Sequence, residues 1–178
     1  MKTTLFFLAT ISVLVFSSCS NQQKDENTAI DEQQITTDNN AASAAILLPS
    51  FNIQDSKGNV VNMQHLKGKK LFVNLWATWC PPCKREMPSI EKLYQAVDTG
   101  KVAFLMVSLD DRFDKAKKYI ATTKLDLPIY YPAQQQLPDL FNVQGIPATF
   151  IFNEKAELIK RIDGSDDYNT AAYKTLLQ

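Results

Sequence analysis

Leu71-Phe72-Val73-Asn74-Leu75-Trp76-Ala77-Thr78-Trp79-Cys80-Pro81-Pro82-Cys83-Lys84-Arg85-Glu86-Met87 is the stretch on which the fold of this 178-residue chain turns. Its first six residues form a near-continuous apolar run, the pattern of a strand buried on both faces. From Met87 onward Ile90, Leu93, Tyr94 and Val97 recur at helical spacing. Between strand and helix stand two cysteines with a two-residue gap. That spacing puts both sulfurs on the first helical turn, where they can bridge. Unpaired N–H groups and a partial positive charge there favour a thiolate. A cysteine so placed titrates anywhere from roughly 3.5 to 7.5, and thiolate is the attacking species in disulfide exchange. Pro81 and Pro82 fit the first helical positions without loss of a hydrogen bond. Cys80 precedes the helix and is expected to be exposed and to act as the nucleophile. Cys83, tucked inside the first turn, is expected to resolve the mixed disulfide. A metal knuckle is the other use of such a pair, but it needs two more Cys or His ligands and His65 is the only histidine.

Working outward, Phe51-Asn52-Ile53 and Val60-Val61 flank the polar turn Asp55-Ser56-Lys57-Gly58-Asn59, which reads as a β-hairpin. Val102 to Leu109 reads as a second buried strand. A helix is expected from Asp111, with Phe113, Ala116 and Ile120 inward. Leu127 to Tyr131 reads as a short strand whose first positions tolerate Pro128. Thr149-Phe150-Ile151-Phe152 and Leu158-Ile159 read as two strands joined at Asn153-Glu154-Lys155. A closing helix is expected near Ser165 or Asp166, presenting Tyr168, Ala172 and Leu176. This order predicts an α/β domain, a central mixed sheet with flanking helices and an extra N-terminal hairpin.

Residues 1–18 have the marks of a targeting segment: Lys2, an apolar run from Leu5 to Phe16, and the small pair Ser17-Ser18 before Cys19. The run of about a dozen apolar residues is shorter than the roughly 20 a bilayer span requires. Phe16-Ser17-Ser18-Cys19 resembles a lipobox, with Phe where Leu is usual. That resemblance makes Cys19 the lipidated N-terminus; a plain secretory signal is the alternative. Residues 19–45 are polar and acidic and read as a flexible tether. Gln23-Lys24-Asp25-Glu26 resembles the export signal of some surface lipoproteins, although a solvated charge run is the simpler account. The expected domain occupies residues 46–178.

Formal charge balances overall, at 19 basic and 19 acidic residues, and no Lys/Arg cluster with interleaved aromatics suggests nucleic-acid binding. Of three cysteines, two form the Cys-x-x-Cys and none is left for a structural disulfide within the domain.

The segment from Asn74 to Pro88, together with Gly145-Ile146-Pro147-Ala148-Thr149-Phe150, resembles the TlpA/ResA-like thioredoxin proteins. Leu66-Lys67-Gly68-Lys69 and the N-terminal hairpin extend the match. The resemblance implies a thioredoxin-like fold and a membrane-tethered reductant of protein disulfides outside the cytoplasm, with cytochrome c maturation among the family's tasks. It also implies a membrane-bound thiol reductant as electron donor. Ile146-Pro147 matches the family's cis-proline loop, whose backbone would pair with an extended substrate segment beside Cys80. Trp79, Pro81 and Pro82 would complete the substrate-binding surface, Trp79 with an exposed aromatic face. Asn74 departs from the buried Asp of thioredoxin itself and cannot titrate. Glu86 lies three residues after Cys83 on the same helical face and matches a glutamate that tunes the cysteines in the family. It is the candidate proton relay; the alternative is a first-turn Glu that complements the helix dipole. Trp76 is expected in the core and His65 at the surface. No cofactor or metal is expected, and the chain is expected to be a monomer. An outer-membrane anchor is weakly favoured because Ser20, rather than Asp, follows Cys19.

Other readings compete. A peroxiredoxin wants Thr or Ser where Ala77 stands, three residues before the reactive cysteine. A copper-delivery module wants Cys-x-x-x-Cys and a distal His. A redox-inert peptide-binding domain would not need both cysteines with Pro147. A thiol oxidant or isomerase differs only in reduction potential, which the residues leave open.

Overall fold

The computed structural model describes residues 45–134 and 136–178. The targeting segment, Cys19 and residues 20–44 of the expected tether lie outside the described residues.

Seven strands form one mixed sheet in the order β2-β1-β5-β4-β3-β6-β7. They are β1 (Asn52–Asp55), β2 (Val60–Asn62), β3 (Lys70–Trp76), β4 (Val102–Ser108), β5 (Ile129–Pro132), β6 (Ala148–Phe152) and β7 (Leu158–Asp163). β3 pairs parallel with β4, and β4 with β5; the remaining pairings are antiparallel. The helices are α1 (Pro81–Ala96), α2 (Phe113–Thr123) and α3 (Ala171–Leu177).

The apolar run of β3 takes an interior place in the sheet, between β4 and β6, and both of its faces are covered. Phe72 and Trp76 point to a cluster that includes Met87, Ile90 and Leu93 of α1, Ala116 of α2, and Tyr173 and Leu177 of α3. Leu71, Val73 and Leu75 point the other way, to Phe51, Ile53, Met63, Phe141 and Phe150. Two successive crossovers, β3-α1-β4 and β4-α2-β5, step the same way across the sheet. Right-handed connection therefore places α1 and α2 on one face. Parallel strands end where such helices begin, which brings the β3–α1 junction and the end of β4 to the same edge.

Several boundaries differ from expectation, among them β7, which runs on from Ile159 to Asp163. α2 starts at Phe113 rather than Asp111, because Arg112 is extended (φ −144°, ψ 130°) and Asp111 stays outside the helix, paired with Lys115 at 2.7 Å. β5 starts after Pro128 rather than at Leu127. α3 starts at Ala171, not near Ser165. Two backbone N–H groups of residues 165–168 are taken by α1 instead: Asp166 N–H donates to Glu86 Oε2 at 3.3 Å and Tyr168 N–H to Ser89 Oγ at 3.1 Å. Tyr168 is fully buried, but it enters the core from a segment without regular secondary structure.

Candidate active site

The chain turns sharply after β3, with the Cys80 N–H donating to the Ala77 carbonyl at 3.1 Å. Cys80 is then the N-cap of α1, in extended conformation, and Pro81 and Pro82 take the first two helical positions. Neither proline has an N–H, so the first donor of the helix belongs to Cys83. It donates to Cys80 Sγ at 3.2 Å, while the Lys84 N–H goes to the Cys80 carbonyl at 3.2 Å. A hydrogen bond to the charged form lowers a pKa, so this contact and the helix terminus together favour a Cys80 thiolate when the pair is reduced. The two cysteines are joined as a disulfide, Cα to Cα 5.4 Å.

Cys80 is not exposed as the sequence suggested; it retains 3% of its accessible surface and Cys83 none. One reason is the loop before β6. The Ile146–Pro147 peptide bond is cis, and the Ile146 carbonyl oxygen lies 3.6 Å from Cys80 Sγ. Pro147 is buried and its carbonyl accepts the Gly164 N–H at 2.9 Å, which ties the loop to the end of β7. Gly164 has φ +96°, a left-handed conformation that suits glycine.

Beside the disulfide runs an open groove of about 580 Å³, lined by Trp79, Leu109, Leu137, Phe141, Val143 and Ile146 among others. Trp79 is 63% exposed at its margin, whereas Trp76 is fully buried, as their positions in the sequence suggested. Pro81 is exposed, and Pro82 and Ile146 are half-buried. The residues expected to meet substrate thus come together around Cys80. His65 is exposed, on the turn Met63–Leu66.

Behind the cysteines, Glu86 is 2% exposed. Asn74 Nδ2 donates to its Oε1 at 2.8 Å and also to Thr149 Oγ1 at 2.9 Å, and Thr149 Oγ1 meets the Tyr168 hydroxyl at 2.7 Å. The Tyr173 hydroxyl donates to Asp166 Oδ2, next to the N–H that reaches Glu86. Burial pushes the Glu86 carboxyl up to about 7, against the lowering effect of the Asn74 and Asp166 donors. Burial also raises both the Tyr168 and Tyr173 phenols, so they stay protonated. Glu86 can therefore take or give a proton near neutral pH. Asn74, at the position where thioredoxin has its Asp, serves as a hydrogen-bond donor to that carboxyl.

Sequence reasoning did not pick out Thr149, Tyr168, Asp166 or Tyr173 for this network. Thr149 left a faint signal, a polar residue in an otherwise apolar strand; the others left none. Among the described residues, no three His, Cys, Asp or Glu side chains converge where a metal ion could sit.

A model of the Redoxin family matches residues 41–177. The chain belongs to the Redoxin family. Relatives of this Redoxin member include thiol-disulfide oxidoreductase ResA of Geobacillus kaustophilus, 32% identical over 117 residues. That alignment covers 66% of this chain and 67% of the relative. ResA of Bacillus subtilis is 27% identical over 66% of this chain and 65% of its own length. The chain thus spans about two-thirds of the length of the curated relatives it matches. Among solved structures, a thioredoxin-family thiol:disulfide interchange protein from Chlorobium tepidum superposes with TM-score 0.65 at 25% identity. It covers 77% of this chain and 99% of that one. The fold is thioredoxin-like.

Proposed function

We propose that this Redoxin member is an extracytoplasmic thiol–disulfide oxidoreductase that reduces protein disulfides. The observation that carries the reading is Cys80 Sγ at the N-cap of α1, facing the Cys83 N–H on one side and the Ile146 carbonyl on the other. In the dithiol form, Cys80 thiolate attacks one sulfur of a substrate disulfide. The Cys80–substrate bond forms, the substrate S–S bond breaks, and the second substrate sulfur leaves as thiolate. The Cys83 thiol then gives its proton to the Glu86 carboxylate. Cys83 thiolate attacks Cys80, closes the Cys80–Cys83 disulfide and frees the first substrate sulfur. Two electrons have passed to the substrate, and the released thiolates take up protons.

Trp79, Pro81, Pro82, Ile146 and Pro147 form the surface on which an extended segment would lie, with the Ile146 backbone as its pairing partner. The named activity of the ResA relatives supports this assignment. The sequence features before residue 46 support a lipid anchor on Cys19, a short tether and work on the periplasmic side, with a membrane-bound thiol reductant restoring the dithiol. No helix among the described residues is long and apolar enough to cross a membrane. Assembly of c-type cytochromes, whose cysteines must be reduced before haem attachment, is a fitting task.

The test is turnover by the reduced protein with a disulfide-containing protein such as insulin, alongside Cys80→Ser. Reduction by the wild type and none by Cys80→Ser is expected; unchanged turnover by Cys80→Ser would sink the assignment. Direction is tested by equilibration with glutathione. A reductant should lie near or below the ~−270 mV of thioredoxin, whereas a value near roughly −120 mV would mark an oxidant.

A further inference from the structure

Asp110 is buried, 3% exposed, and the exchange steps above do not use it. It lies just past the end of β4, and its carboxylate is surrounded by donors. The Thr78 N–H reaches both of its oxygens at 3.2 Å, the Thr78 hydroxyl reaches Oδ1 at 2.6 Å, and the Ser108 hydroxyl reaches Oδ2 at 2.8 Å. A buried carboxylate is costly unless hydrogen-bonded, and bonds to an ionised acceptor are about twice as strong as neutral ones. The donors therefore hold Asp110 in place, and Asp110 holds Thr78.

Thr78 lies inside the turn Ala77–Cys80, closed by the Cys80 N–H to the Ala77 carbonyl at 3.1 Å. A second tie joins the same two strand ends, Leu109 N–H to the Trp76 carbonyl at 2.7 Å. The residue after Thr78 is the exposed Trp79, and the next is the N-cap cysteine. The course of this turn sets where Cys80 Sγ meets the Cys83 N–H and where the Trp79 indole stands over the groove. Backbone bonds alone fix its two ends; the Asp110 carboxylate fixes its middle.

We propose that Asp110 is a positioning residue for Cys80, acting through Thr78 to hold the Ala77–Cys80 turn against the end of β4. The proposal rests on the disulfide-exchange reading for its purpose. Its signature is the pH at which Cys80 becomes a thiolate. The ionisable groups on the segments around Cys80 are Cys83, Lys84, Arg85 and Glu86 on α1, Asp110 and Asp111 after β4, Arg161 and Asp163 on β7, and Asp166 after it. Thr78→Val is nearly isosteric, deletes one donor to Asp110 and changes none of these charges. A shift of the Cys80 profile in that variant therefore reports the loss of the Thr78–Asp110 tie and not the loss of an ionisable group. Asp110→Asn removes a nearby negative charge, which by Coulomb's law alone favours the thiolate and shifts the profile down. A loosened turn shifts it up.

The experiment is alkylation of the full-length reduced protein with iodoacetamide across pH, followed at the Cys80 peptide by mass spectrometry. Thr78→Val is expected to raise the midpoint and to slow alkylation at pH values below it by up to about tenfold, the size of one lost bond to a buried charge. Thr78→Ser, which keeps both donors, is expected to restore the wild-type profile, and Asp110→Asn is expected to move the midpoint up. A merely structural role would lower the melting temperature and leave the midpoint in place. An unmoved midpoint in Thr78→Val, or a lowered one in Asp110→Asn, overturns the proposal. Alkylation needs no disulfide substrate. A wild type that shows these profiles yet reduces no protein would overturn the function alone.

Discussion

Glu86 ties the chemistry of single residues to the pH response of the protein. Its folded carboxyl is pushed up to about 7 by burial, from an ordinary value of 4.5. The unfolded chain gives up this proton first, so the group's contribution to stability is fully present below about pH 4.5. It is lost as the pH rises to 7 and somewhat beyond. The difference amounts to about 3 kcal/mol. Denaturant titrations of wild type and Glu86→Gln at pH 4.5 and 7.5 should show the variant gaining by that order relative to wild type. A pH-independent difference would contradict the buried-acid reading. The same variant cannot accept the Cys83 proton, and loss of a general base costs about 100-fold or more. Decay of the mixed disulfide, followed by rapid quench, should slow accordingly, and an unchanged decay would remove Glu86 from the proton path. Glu86 was legible because it lies three residues after Cys83 on a helix, a local relation. Its partners were not. Thr149 and Asp166 meet this network across 75 and 80 residues of sequence, and no local pattern encodes such contacts.

Among the elements, the segment between β7 and α3 departs most from its sequence. Ser165 and Asp166 are residues that cap helices well, and Tyr168, Ala172 and Leu176 are spaced for a helical face. The competing demand is burial. Glu86 and Ser89 on α1 receive the backbone N–H groups of Asp166 and Tyr168, and the Tyr173 hydroxyl holds the Asp166 carboxylate. Tertiary bonding outweighs local propensity here, and the helix forms only from Ala171. Tyr173→Phe removes the hold on Asp166, and the segment should loosen and let water reach Glu86. The Glu86 carboxyl should then titrate below 7, as measured by carbon NMR of the labelled carboxyl, and an unmoved midpoint would contradict this role for the segment. The β1–β2 hairpin, β3 and α1 were legible because each rests on a turn signal or a period that needs no distant partner.

For the whole molecule, the apolar pattern indicated an α/β sheet protein, but the strand order was open. Insertion of β1 between β2 and β5 depends on Ile53 and Gln54 finding Pro132 and Tyr131, which no periodicity specifies. The two-faced burial of β3 does carry an energetic consequence. Phe72 stacks on Phe104 and meets Tyr168 edge-on, so Phe72→Ala leaves a cavity at the centre of the sheet. Urea denaturation should show a loss of about 3–5 kcal/mol; a loss below about 1 kcal/mol would mean that this face is loosely packed. The same sheet brings the end of β3, the loop before β6 and the end of β4 to one edge, where the Cys80–Cys83 disulfide sits. That Cys80 attacks and Cys83 resolves is tested most directly by trapping. The reduced Cys83→Ser protein, mixed with a protein disulfide, should accumulate a covalent adduct that mass spectrometry maps to Cys80, and Cys80→Ser should form none. An adduct through Cys83 in Cys80→Ser, or no adduct in Cys83→Ser while the wild type turns over, would contradict it.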